Sequence, residues 1–245
     1  MSDFKETPRL PSTFNRLAWS NLAAQSAEQI ALAAAPIVAV LSLGVAAGKT
    51  GLLQTALTAP FVLFAIPAGL LADRISRRVL MAGSEALRTA SLTAILLMIW
   101  FGWLTLPLLA LFGFVAVCGT VVYSVAAPAL VPSLVQPQIL PAANARIELA
   151  RTVAFAAGPA LGGVLVGWVG AAPAFGFAAA LSAIAVVLLA GIHEPARQVK
   201  PQRHPLQDIR EGASFVLHHA LLRPLFITQF IFNTASFLLL AVYVP

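Results

Sequence analysis

Seven apolar runs, each about as long as a bilayer-crossing helix needs to be, follow one another with only short polar stretches between them. They cover residues 14–43, 51–71, 79–101, 107–127, 143–169, 172–192 and 221–245. Within hydrocarbon the backbone must satisfy its own hydrogen bonds, and runs of this length do so as helices. The expected fold class is therefore an all-α polytopic membrane protein. Residues 1–192 form a six-helix bundle, 193–220 a polar linker, and 221–245 a seventh transmembrane helix. Only 10% of residues are charged, against about 25% in a soluble domain.

The net charge of +6 invites a nucleic-acid reading, but the basic residues sit beside the apolar runs and not on one patch. No nucleic-acid partner is expected. With the N-terminus in the cytoplasm, 14 of the 15 Lys and Arg residues fall on the inner side. They are Lys5, Arg9 and Arg16, then Arg74, Arg77, Arg78 and Arg88, then Arg146 and Arg151, then Arg197, Lys200, Arg203, Arg210 and Arg223. Only Lys49 lies outside, so positive charge sets this orientation. Residues 1–11 lack the basic region and cleavage site of a signal peptide, so the first helix is retained. The single cysteine, Cys118, leaves no intrachain disulfide.

One acid stands far inside a span. Glu28 is 14 residues past Phe14, about 21 Å along a helix, near the middle of a bilayer. A carboxyl at that depth marks a pathway by default. Asn21, Gln25 and Glu28 share a helix face, which must meet protein or water and not lipid. Glu28 suits a group that takes up and releases a proton. The plainer alternative is a silent interhelical hydrogen bond. Glu85 and Arg88 stand three apart near the start of the third helix, and Glu148 and Arg151 form an expected ion pair at a helix end.

Between the second and third runs lies a charged island, residues 69–80. Gly69, Asp73, Arg74, Arg77 and Arg78 set an acid and three arginines directly against apolar sequence on both sides. Asp73 is placed either to cap a helix or to pair with an arginine. The pattern Gly-x-Leu-Ala-Asp-Arg-x-x-Arg-Arg resembles the loop between helices two and three of the major facilitator superfamily, with Ser76 where that signature usually has glycine. In the fifth run, Gly158-Pro159-Ala160-Leu161-Gly162-Gly163 resembles the antiporter motif of drug-exporting facilitators, with Ala154 in place of its upstream glycine. Residues 143–151 and the linker resemble the drug and siderophore exporter branch, which includes the enterobactin exporter and macrolide efflux proteins. An arginine common in the fourth helix of proton-coupled relatives is absent, since Val115 stands there.

The resemblance implies the N-terminal half of a twelve-helix transporter, plus the linker and the seventh helix. The same chain's C-terminal half is then a missing partner. It implies efflux of amphiphilic small molecules, whether drug, macrolide or siderophore, by alternating access with proton antiport, in the bacterial inner membrane. Glu28, Gln25 and Asn21 would bind proton or substrate. Gly69, Asp73, Arg74 and Arg77 would gate the cytoplasmic side. Gly158, Pro159, Gly162 and Gly163 would form a bend that prevents leakage. The alternatives are a non-transporting scaffold and an uptake facilitator of the same fold.

An enzyme is not expected, because no Ser/His, paired-Asp or metal constellation lies in the spans. Residues 44–50 approach a P-loop but have three residues between the glycines instead of four, so no ATP site is expected. The four histidines have no zinc spacing. No metal or cofactor is expected; the partners are substrate, protons and lipid. In the linker, Leu206, Ile209, Ala213, Val216 and Leu217 are spaced for an amphipathic surface helix.

Overall fold

The computed structural model describes residues 10–194 and 205–243. Lys5, Arg9, Arg197, Lys200 and Arg203, which entered the orientation argument, lie outside them. The chain divides into two compact units, Met1–Arg197 and Gln198–Pro245. The first contains α1 (Ser12–Leu41), α2 (Ala47–Arg74), α3 (Arg77–Trp100), α4 (Leu106–Leu134), α5 (Leu140–Val164) and α6 (Ala171–Ala190). The described residues include no strand. All six helices are long and apolar enough to cross a membrane, the fifth span taking in the short π-helical turn over Leu165–Val169 that follows α5. This is a multi-pass, all-α membrane protein.

Turn chemistry explains where these helices stop. Three connections, at Gly44, Gly102 and Gly170, use positive φ values of 62°, 71° and 103°, which glycine adopts without a Cβ penalty. At the other end, Ser76 caps α3 by accepting from the Val79 amide. Pro137 opens a 3₁₀ turn, Pro137–Ile139, and Pro141 stands in the first turn of α5, where a missing N–H costs nothing.

The fourth helix corrects the sequence reading. Pro128 and Pro132, assigned to a loop beginning near residue 128, lie inside α4, which continues to Leu134. Proline is tolerated there because neighbouring groups take over the freed backbone. Nearby, Arg77 ties α3 to this part of α4, donating from Nη1 to the Ala129 carbonyl.

Packing within the first unit follows a pattern. α1 lies against α5 and α6, α4 against α2 and α3, and α3 against α6. Exchanging helices one, two and three for four, five and six maps this set of contacts onto itself. A three-plus-three repeat invisible in the residues is therefore present in the architecture, as transporter halves built from inverted repeats have it. Along the bundle, the interior is layered. One apolar cluster holds Phe14, Leu17, Met81, Leu130 and Leu189. The other holds Ile30, Leu53, Leu92, Leu109 and Phe175. Between them lies a layer of buried polar side chains that includes Glu85, Arg88, Thr120 and Ser182.

The outside of the bundle is apolar as well. Val62, Leu63 and Ile66 of α2 and Val187 of α6 are exposed, as lipid-facing residues are in a helix that is hydrophobic all round.

The second unit holds α7 (Pro205–His218) and α8 (Leu222–Tyr243). The expected linker helix is present as α7 and covers Leu206, Ile209, Ala213, Val216 and Leu217. Its last turn leads through His219, whose amide donates to Phe215 O and whose carbonyl accepts from Arg223 N. The 22 residues of α8 rise about 33 Å, enough for one crossing.

Candidate functional site

Arg88 is the centre of the polar layer. It lies 11 residues past Arg77, the first residue of α3, about 16 Å along the helix. Its Nη1 donates to Glu85 Oε1 at 2.6 Å and to the Ala24 carbonyl of α1 at 3.1 Å. Its Nη2 donates to Thr120 Oγ1 of α4 at 2.5 Å. The other oxygen of Glu85 accepts from Ser182 Oγ of α6 at 2.7 Å. Four helices are thus tied together at one depth. The Glu85 and Arg88 side chains are 0% and 3% exposed, so their pairing is sheltered from water and salt.

Glu28 faces this cluster from α1. Its Oε2 is 3.9 Å from Arg88 Nη2, longer than a hydrogen bond, and its side chain is 11% exposed. It opens on a narrow cavity lined also by Leu32, Leu57, Leu109, Val117, Thr120 and Phe175. The cavity offers about 30 Å³ to the centres of water molecules. That is room for a very few waters and far below what a drug-sized ligand needs.

The polar face read from the first helix divides. Asn21 is buried and donates to the Ile147 carbonyl of α5 at 3.3 Å. Gln25 is half-buried. Only Glu28 of the three lines the central cavity. Arg88, counted among the arginines that set orientation, is buried at mid-bundle and reports nothing about sidedness. The sequence reading placed Glu85 and Arg88 near the helix start and missed their role. The depth argument that singled out Glu28 would have found Arg88, nine residues past Val79 and about 14 Å into the third run, and through it Glu85, one turn earlier. An arginine does stand in the middle of the bundle; it comes from α3, and Thr120 of α4 accepts from it.

The glycine-proline motif also divides. Ala154, Gly158 and Gly162 are buried, four residues apart, on one stripe of α5. A Cβ at Gly158 would collide with the Cβ of Gln29, and one at Gly162 would stand 2.9 Å from the Ile30 carbonyl oxygen. This stripe is the seam between α1 and α5, a close helix approach made by small residues. Gly163 has nothing within 4 Å of such a Cβ and takes no part in the seam. The regular helix continues past Pro159 to Val164, and its change of geometry comes at the π turn beginning at Leu165.

Of the gating candidates, Gly69, Asp73 and Arg74 lie in the last two turns of α2, and Arg77 opens α3. A residue outside the sequence reading joins this end. Glu194 accepts from Ser76 Oγ at 2.5 Å, from Arg78 N at 3.0 Å and from Arg77 N at 3.4 Å. In return, Arg78 donates to Ala190 O and Arg16 to Gly191 O, both at 2.7 Å. An acid sits at the N-terminus of α3 and cations at the C-terminus of α6, each where the helix dipole favours it. Burial pushes the Glu194 carboxyl up, but the bonds from Ser76, Arg78 and Arg77, with the Arg77 charge, outweigh it and hold the group below its ordinary range. The Glu148–Arg151 pair forms as expected, at 2.6 Å, on the exposed surface.

An all-α bundle of six membrane-length helices with ion pairs at mid-depth defines the class: an integral membrane protein with a charged interior. The chain belongs to the transmembrane secretion effector family of the major facilitator superfamily, whose family model matches residues 9–244. It is 28% identical over 190 residues to an uncharacterized MFS-type transporter, y4rN, of Sinorhizobium fredii (strain NBRC 101917 / NGR234). The match covers 75% of this chain and 45% of that relative, so the chain spans less than half of the relative's length.

Proposed function

We propose that the protein acts in a bacterial inner-membrane exporter of amphiphilic small molecules, working by alternating access and driven by proton exchange. Membership of a secretion-effector family supports a transporter. The observation that carries the mechanism is Glu28, a carboxyl in the middle of a span, lining a cavity and standing 3.9 Å from a buried arginine. Interior acids beside water-sized cavities are the parts from which proton relays are built.

In this reading the N-terminus is cytoplasmic. Gly69, Asp73, Arg74 and Arg77 then belong to the inner gate, and the α1–α5 seam at Gly158 and Gly162 closes the wall against leakage. The substrate path lies between this bundle and a second six-helix half, because transporter sites form at such interfaces. The test is transport by everted vesicles in which this bundle, as wild type or Glu28→Gln, is present together with a complementary half. The variant is expected to insert normally and to lose pH-driven export. Export at the wild-type rate, with the wild-type dependence on pH, would overturn the role of Glu28.

A further inference from the structure

We infer that Glu28, Glu85 and Arg88 together hold one exchangeable proton, and that Glu28 carries it while Glu85 holds Arg88. This deepens the reading above by assigning Glu85 as the anchor that occupies Arg88. The proton count itself requires no transport.

The argument is one of charge. Two carboxyls and one guanidinium share the interior layer. Arginine stays protonated in a protein. With both acids ionised, the layer would carry an uncompensated negative charge away from water, at a cost of several kcal/mol. A buried acid in that position neutralises by taking a proton. No other charged side chain is placed to change the sum. α6 has no ionisable residue between Ala171 and Ala190. The charged residues of α2 (Lys49, Asp73 and Arg74) are exposed near the helix ends, and those of α5 (Arg146, Glu148 and Arg151) are exposed on its outer surface, where Glu148 and Arg151 neutralise each other. From α4, the Tyr123 phenol is buried on the neighbouring turn, and a phenol is neutral at neutral pH.

Geometry decides which acid is protonated. Glu85 receives Arg88 at 2.6 Å and Ser182 at 2.7 Å, so it already has the guanidinium as its close counter-ion. Glu28 receives no hydrogen bond from the described residues and meets Arg88 only at 3.9 Å. The proton therefore sits on Glu28, which also opens on the cavity. Arg88 is the positioning residue. Its attachment to Glu85 leaves Glu28 short of a counter-ion.

Infrared spectroscopy of the purified protein in detergent, at neutral pH, tests this through the stretch of a protonated carboxyl. Wild type should show the band, and Glu28→Gln should lose it. The decisive variant is Glu85→Gln, which keeps an acceptor for Ser182 and leaves Glu28 untouched. It frees Arg88 to pair with Glu28, so the band should vanish although Glu28 is present. Absence of the band in wild type would overturn the proposal. So would a band persisting at full strength in Glu28→Gln, or one surviving in Glu85→Gln. Because the measurement needs no substrate, an exporter assay that fails would not move it.

Discussion

Glu194 and Ser76 meet at 2.5 Å across 118 residues of sequence, the hydroxyl donating to the carboxylate. The contact joins the segment after α6 to the first turn of α3. Ser76 occupies a place where a related signature carries glycine, and here it both caps its helix and holds the distant acid.

Replacing Glu194 by Gln should lower stability at neutral pH by about 1 kcal/mol or less, the scale of a charge at a helix N-terminus on a partly exposed site. The folded-state carboxyl titrates below its unfolded value, which is about 4.3 for Glu. Its stabilisation is thus complete above that value and is lost as the pH falls through it and through the lower folded value. Melting curves in detergent should show a gap between wild type and variant that closes on acidification. A gap independent of pH would mean that the charge does not matter.

The glycines of α5 should not behave alike. Gly158→Ala and Gly162→Ala each place a Cβ against α1, and an overpacked seam costs about 1–3 kcal/mol. Gly163→Ala meets open space and should be neutral, or stabilising by up to about 1 kcal/mol through helix propensity. Thermal unfolding of the three variants checks the order. Equal loss at all three positions would show that the motif acts through backbone flexibility and not through the seam.

Asp73→Asn should bias the proposed transporter towards opening on the arginine-rich side, since a charge-assisted bond at the gate weakens. Labelling of engineered cysteines from that side of the central path should rise. Unchanged labelling would count against a latch.

The 245-residue chain by itself should show no substrate-coupled proton flux in proteoliposomes. The cavity within its bundle has about 30 Å³ for water centres, far too little for an amphiphilic substrate. Supplying a complementary six-helix half should restore flux. Robust transport by the chain alone would favour two copies forming the path together.

Membrane class, helix number and approximate spans were legible in the residues because hydropathy is local: a run of about 20 apolar side chains declares its environment without reference to a partner. Glu28 was legible for the same reason, since its depth follows from counting along one helix. The extension of α4 through Pro128 and Pro132 was not. Proline reads as a break in the sequence, and what holds the helix through it, such as the bond from Arg77 of α3 to the Ala129 carbonyl, comes from another helix. The division of Asn21 from Glu28 depended on which helices flank α1. So did the arginine facing Glu28, which the chain places on α3 and not on α4. The seam at Gly158 and Gly162, the contact repeat and the Glu194 clamp are all relations between distant segments. Helical periodicity assigns a residue to a face; only packing decides what that face meets, because opposite charges and close backbones are matched in space and leave no fixed spacing in the sequence.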